Sequence, residues 1–345
     1  MIIKSLAVEN IRAHHSFSRP LSSNVTVITG DNGSGKTSLI EAVVVALTGK
    51  SFKGTDKELL RYEADWWRID VQLDDQLRTV KYQPAAGAKR KQFVVDDKTT
   101  IRLPAASHYP VVLFEPDDLR LLHGSPSRRR QFIDRFAGQL VPGYSRVLHR
   151  YERALLQRNK LLKQHAVNDS LFAWNVSLAK YGAAIIDTRV RIIERLNSKL
   201  NEVYGTIAQT NDTISIHYSH TLIDNTEQKL LGELEARIDR DRFLGYTGIG
   251  PHRHDVLFEF NDTPAISSAS RGEVRTTILA LKFLEVDIIE EVTGMRPIVL
   301  LDDVFSELDE KRQTHLATSF RDHQIIMTST HAPTMLTGAK IIHLK

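Results

Sequence analysis

Residues 30–37 read GDNGSGKT, entered by the β-branched run NVTVIT and left by the apolar run SLIEAVVVALTG. No other stretch restricts the fold as strongly. The spacing G-x-x-x-x-G-K-[ST] between a strand and a helix predicts an α/β sheet with a phosphate loop at the end of a strand. Glycines there let the backbone turn its N–H groups toward a phosphate. Gly30, Asp31, Asn32, Gly33, Ser34 and Gly35 then form the cradle, with Ser38 on the helix behind it. Lys36 reaches the β- and γ-phosphates of a nucleotide, and Thr37 offers its hydroxyl to Mg²⁺. The plainer alternative is a glycine-rich turn that only joins strand to helix.

A natural complement lies far down the chain in PIVLLDDVFSELD. Ile298, Val299, Leu300 and Leu301 read as a central strand, with Asp302 at its carboxyl end, where such sheets bind ligands. Asp302 is the second candidate Mg²⁺ residue, acting through the ion's water shell. Asp303, one residue on, is the candidate general base for an attacking water, and it shares the catalytic assignment with Lys36. An Asp-Asp pair also caps turns and helices without any chemistry.

What lies between the two motifs decides the class. Of 345 residues, 41% are hydrophobic and 26% charged, the balance of a soluble globular chain. There is no cysteine, which excludes disulfides and thiolate chemistry and suits a reducing cytoplasm. No apolar run approaches the ~18–20 residues of a membrane span. The opening MIIKSLAVENIRAHHSF reads as a strand rather than a leader. Strands are expected at both termini, antiparallel strands over 66–101, and helices from about 142 to 207. These last form one hairpin of two moderate helices rather than a long coiled coil. The expected organisation is the first part of an ATPase domain over 1–135, an inserted helical lobe over 136–245, and the rest of the ATPase domain over 246–345.

Just before the Asp-Asp pair, SASRGEVRT opens a long amphipathic helix, with several backbone N–H groups and no evident local capping partner. Ser268 or Ser270 can also be an ordinary N-cap. The wide motif separation, this S-x-G-E helix start, the apolar-Asp-Asp run and SELD together resemble the ATP-binding-cassette layout. That resemblance implies an ATP-dependent dimer in which Ser270, Gly272 and Glu273 face the γ-phosphate of a nucleotide held on a partner's Lys36. It places residues 306–309 at the subunit contact and makes His331, after QIIMTST, a γ-phosphate sensor. A lone histidine there is otherwise structural.

Further stretches narrow the resemblance: NIRAHHSF, PDDLRLLHGSPSRRRQFID, YERALLQRNKLLK and GPHRHDVLFEF. Together they are similar to the RecF family of bacterial replication and gap-repair proteins along essentially the whole chain. The departures are His254 where the family usually has Asp, Ser38 where it has Asn, and Arg271 where it has Gln. Membership implies binding of duplex DNA next to a single-strand gap, ATP with Mg²⁺, and slow, DNA-stimulated hydrolysis. It also implies RecR as partner, with RecO and the RecA recombinase in one pathway, a part in the SOS response, and Arg12 near the nucleotide. A transporter ATPase subunit would need a membrane-coupling helix, a structural-maintenance head would need long coiled coils, and a small-molecule kinase would need an acceptor lid.

The net charge of +4 and the pI near 9.1 permit nucleic acid without requiring it, so clustering matters. Arg146, Arg150, Arg153 and Lys160 stack on one side of a helix, as a DNA-backbone stripe or a solvated face. Arg128, Arg129 and Arg130 share one helical turn and require solvent, a carboxylate or a phosphate. KRK at 89–91 falls at a hairpin tip, open to DNA. Arg158 lies in line with apolar positions, which predicts a buried ion pair. Arg253 reads as structural or interfacial. His252, His254 and Asp255 are too few for a metal site.

Overall fold

Ile3–Ile11 (β1) alternates covered and open residues, as a strand with one packed face does. It opens a computed structural model that describes residues 1–74, 76–164, 168–220, 225–305, 308–333, 336 and 338–344. The chain continues through His14–Pro20 (β2), Val25–Thr29 (β3), Lys36–Thr48 (α1), Trp67–Leu73 (β4), Gln76–Tyr82 (β5), Lys91–Val95 (β6), Lys98–Thr100 (β7) and Val111–Phe114 (β8). Next come Pro126–Leu140 (α2), Tyr144–Lys163 (α3), Asn168–Ala208 (α4), Ile214–Tyr218 (β9), Thr226–Ala236 (α5) and Ile238–Leu244 (α6). Val256–Phe260 (β10), Thr263–Pro264 (β11), Ala265–Ser268 (α7) and Arg271–Thr293 (α8) follow. Ile298–Asp302 (β12), Glu310–Ser319 (α9), Ile325–Ser329 (β13) and Lys340–His343 (β14) complete it. Two compact units result: Met1–Asp118 with Glu285–Lys345, and Leu119–Leu284.

The first unit holds two sheets. β14, β3, β13, β12 and β8 lie in that order, and every pairing is parallel. Residues of β8, β12 and β13 are buried throughout, the mark of a parallel sheet covered on both faces. The other sheet, β2-β1-β4-β5-β6-β7, is antiparallel, and β4 alternates strictly between buried and half-buried residues. Between them runs α1, apolar on nearly every side and therefore stable only when enclosed. Leu39, Val43 and Leu47 of α1 share one core with Trp67, Ile69, Leu300 and Ile326. Gly49, left-handed at φ 81°, ends the helix by donating to the Val45 carbonyl.

In the second unit α3 and α4 pack against each other, and α4 also carries α2, α5 and β9. β9, β10 and β11 form a small antiparallel sheet. The helical hairpin is present, but α4 runs for 41 residues and is not of moderate length. No proline interrupts it, and Gly182 inside it is kept for packing. A Cβ there would lie 2.7 Å from Leu230 Cδ2 and 3.3 Å from the Tyr151 ring. Arg158, wholly buried, donates to Asn175, Asp241 and Thr247 at 2.7–2.8 Å, so its alignment with apolar positions ends in the expected ion pair. Arg189 grips Asp134 with two bonds of 2.8 Å and donates to the Pro251 carbonyl at 2.7 Å.

Candidate functional site: a phosphate loop and its acidic pair

β3 delivers the chain to residues 30–35, which fold onto the start of α1. Gly33 at φ 86° and Gly35 at φ 90° occupy the left-handed region. Gly35 has no room for a side chain, because a Cβ would lie 2.5 Å from His14 Nε2. That nitrogen is 3.0 Å from the Gly35 carbonyl oxygen; a carbonyl only accepts, so Nε2 carries the hydrogen. Lys36 is buried, and its ammonium donates to the Gly30 carbonyl at 2.7 Å and the Asp31 carbonyl at 3.0 Å. The Ser34 amide closes the loop onto Asp31 at 3.1 Å.

A cavity of about 350 Å³ opens over the loop, lined by Arg12, Ala13, Asn32, Gly33, Gly35, Lys36, Thr37, Ser38 and Asp303. Residues from three separated parts of the sequence therefore meet there. Asp302, at the end of β12, is 2% exposed. Its Oδ1 accepts from the Thr37 hydroxyl at 2.8 Å and from the Thr328 hydroxyl at 3.0 Å, while Lys53 Nζ stands 3.4 Å from Oδ2. Asp303 is left-handed at φ 55°, and its N–H donates to the Thr328 hydroxyl at 2.9 Å. A carboxylate and a hydroxyl are the kind of hard oxygen donors that Mg²⁺ takes, and Asp302 already carries a cationic neighbour in Lys53.

His331 is exposed beyond β13 and is not among the cavity residues. Of the expected contact segment at 306–309, Ser306 and Glu307 lie outside the described residues. Asp309 caps α9 by accepting from the Arg312 amide at 3.0 Å.

Sequence reading passed over Glu41, Ser51, Lys53, Thr328 and His14. Glu41 alone left a trace, a single charge inside SLIEAVVVAL, which a buried helix tolerates only when paired. Its carboxylate is fully buried and holds Arg12 Nη2 at 3.1 Å and 2.8 Å from its two oxygens.

In the second unit, the start of α8 corrects one expectation. The Ser270 amide donates to Glu273 Oε2 at 2.5 Å, and the Glu273 amide donates to Ser270 Oγ at 3.3 Å. This reciprocal capping box satisfies both groups locally, so the helix start does have a capping partner. Gly272 follows in the first turn of α8.

The basic clusters separate by environment. Arg146, Arg150, Arg153 and Lys160 are all exposed along α3. Arg129 is buried against Asp255 with bonds of 2.8 and 2.7 Å, and Arg130 donates to the His254 carbonyl at 2.8 Å, so two of that trio serve the fold. Lys91 is not at an open tip. It pairs with Asp56, donates to the Gly49 carbonyl at 3.0 Å, and lies over the Trp67 and Phe93 rings. A strand position facing the packed side of β6 turned it inward, and burial lowers its pKa. The side chain of Lys89 lies outside the described residues. Arg253 donates to the Thr247 carbonyl and stacks 4.7 Å from the Tyr246 ring centre.

His252 accepts from or donates to Tyr151 at 2.7 Å through Nδ1 and meets the Thr247 carbonyl at 3.1 Å through Nε2. The carbonyl needs a donor, so Nε2 is protonated and Nδ1 accepts from the tyrosine. Burial lowers its pKa to about 4. His254 stacks on His220 at 4.5 Å, with burial first and His220 second lowering its pKa to about 3.

A parallel sheet with this loop at β3 and an acidic pair at β12, joined to an antiparallel sheet and helices, defines a P-loop ATPase of the ABC type. Residues 5–108 match the AAA domain family. The chain is 35% identical over 336 residues to the DNA replication and repair protein RecF of Clostridium perfringens, covering 96% of this chain and 93% of that protein. It is 33% identical to the RecF of Staphylococcus aureus at the same coverage. The chain belongs to the RecF family. Among solved structures it is similar to the recombination mediator protein RecF-ATPrS in the RecFOR pathway, with TM-score 0.89 and 28% identity over 99% of this chain and 96% of that one. It is likewise similar to RecF-ATP of that pathway, with TM-score 0.85 and 27% identity over 97% and 93%. An SMC head bound to the C-terminal winged-helix domain of ScpA shares the fold at TM-score 0.54 and 15% identity, over 99% of this chain and 94% of that one.

Proposed function

We propose that the chain is an ATP-switched DNA-binding protein of replication and recombinational gap repair. The observation that carries this is the convergence of Lys36, Thr37 and Asp303 at one cavity, with Asp302 bonded to the Thr37 hydroxyl beside it, in a member of the RecF family. Relatives named for DNA replication and repair, and a structure named RecF-ATP, support the role and the nucleotide.

In this reading the loop amides and Lys36 hold the phosphates of ATP. The ammonium already sits among loop carbonyls and exchanges them for phosphate oxygens. Thr37 and Asp302 hold Mg²⁺, which supplies charge neutralisation to the phosphates, and Lys53 withdraws from the carboxylate. Asp303 orients and deprotonates the attacking water. Arg12 reaches the nucleotide from the cavity wall. Ser270, Gly272 and Glu273 of one copy, and His331, complete the γ-phosphate contacts in an ATP-dependent homodimer, with the capping box opening or supporting that contact.

The dimer then binds duplex DNA beside a single-strand gap and hydrolyses ATP slowly, with stimulation by DNA. Acting in the cytoplasm with RecR and RecO, it assists loading of RecA and supports the SOS response. Closure and DNA binding are coupled, so each strengthens the other.

The test is the solution mass of Asp303→Asn by sedimentation, with and without ATP and Mg²⁺. A monomer that becomes a dimer only with ATP is expected, and adding Ser270→Arg is expected to abolish the shift. A mass unchanged by saturating ATP, with gapped DNA present, would refute the switch.

A further inference from the structure

We propose that Glu41 is the positioning residue of the nucleotide site, setting both cations that flank the phosphate loop; the inference rests on the nucleotide reading above. Glu41 is fully buried in α1, where an unpaired carboxylate would be prohibitively costly. Two arms hold it, both hydrogen-bonded at Oε1, while Oε2 is met only as an ion pair. The first is Arg12, whose guanidinium lies 2.8 Å from Oε2 and 3.1 Å from Oε1. Arg12 lines the cavity, and its left-handed backbone (φ 44°) is held by a bond from its N–H to the Leu59 carbonyl at 2.9 Å. The backbone is thus fixed without Glu41, whereas the direction of the guanidinium depends on it.

The second arm runs through Ser51. Its hydroxyl donates to Glu41 Oε1 and accepts from the N–H groups of Lys53 and Gly54, each at 3.0 Å. This fixes the loop from which Lys53 reaches Asp302. One carboxylate, itself outside the cavity lining, thereby aims a guanidinium at the phosphate loop and an ammonium at the candidate metal residue.

Neutralising Glu41 should therefore act through Arg12 and Lys53 and not independently of them. Calorimetry of MgATP binding, with melting temperatures of the nucleotide-free chains, tests this in wild type, Glu41→Gln, Arg12→Met and the double variant. Lys36→Met is the control for the underlying reading: if it binds MgATP as wild type does, the nucleotide site itself is misassigned, whatever Glu41 does. With that control weakened, Glu41→Gln and Arg12→Met are each expected to lose about tenfold in affinity, and the double variant to stay within about threefold of the weaker single. Wild-type affinity in Glu41→Gln, or losses that multiply in the double variant, would overturn the proposal. Should Glu41→Gln fail to fold, Ser51→Ala tests the second arm alone. Ser51→Ala and Lys53→Met are expected to shift the Mg²⁺ concentration for half-maximal ATP binding in the same direction without adding. An unshifted or additive response would overturn that arm.

Discussion

Thr328 donates its hydroxyl to Asp302 at 3.0 Å across the β12–β13 pair, and the same oxygen receives the N–H of Asp303 at 2.9 Å. One buried hydroxyl thus ties the candidate metal carboxylate to the left-handed backbone of the candidate base. Thr328→Val keeps the volume, strips the Asp303 N–H of its acceptor and removes one of the two hydroxyl bonds to Asp302 Oδ1. The expected cost is about 1–3 kcal/mol of stability, with ATP turnover falling about tenfold while ATP affinity changes little. Thr328→Ser should restore both values in steady-state kinetics and denaturant titration.

Gly35→Ala is expected to fail at the loop itself. Its methyl would meet the His14 ring, and the left-handed backbone would disfavour it by roughly 1–2 kcal/mol even with that ring removed. ATP affinity should therefore drop sharply in Gly35→Ala and recover only in part when His14→Ala is added, as calorimetry would record.

Acid should weaken the second unit through His252. Its pKa is about 4 in the fold, below the ordinary value of 6.5. Between those values the unfolded chain binds more protons, so stability rises with pH there. The contribution is complete above about pH 6.5 and lost as pH falls toward 4, by roughly 3 kcal/mol at most. Denaturant titration of wild type and His252→Gln at pH 7 and pH 4.5 should show the difference between them shrinking at the lower pH.

Arg158→Met should destabilise by about 3–5 kcal/mol, because it strands Asp241 in a site 1% exposed. Pairing it with Asp241→Leu should recover part of that loss in thermal melts.

DNA affinity should carry the signature of the exposed α3 stripe. Replacing Arg146, Arg150 and Arg153 by Gln is expected to flatten the dependence of log affinity on log salt by up to about 3 units, roughly 0.9 for each phosphate no longer neutralised. Titration of gapped duplex at several salt concentrations measures it, and an unchanged slope would assign the stripe to solvent.

Much of this was legible where the information is local. The phosphate loop is contiguous, and its strand and helix neighbours carry their own periodicities, so residues 30–37 could be read directly. β12 and β13 announced themselves as short apolar runs. The capping box at Ser270 and Glu273 was also local, since S-x-x-E is its spacing, yet the glycine between drew attention to the helix dipole instead. Thr328, Ser51 and Lys53 were not legible, because each matters only through a partner brought close by folding. Lys91 misled for the same reason: a basic run looks like a surface until the strand face it occupies is known. What keeps a glycine inside α4, the close approach of Leu230 and Tyr151 to Gly182, is likewise visible only in the folded chain.

The strand that carries the phosphate loop, β3, is bonded on one side to β13 and on the other to β14. Both neighbours come from the far end of the sequence. During translation, the loop residues emerge early and then wait, without either flanking strand, until residues 325–343 have left the ribosome. Such long-range pairing is slow to form and leaves apolar edges exposed meanwhile. The nucleotide site therefore waits on residues 325–343, and a polypeptide truncated before residue 325 would keep the whole GDNGSGKT motif and the antiparallel sheet against α1, but β3 would have neither flanking strand.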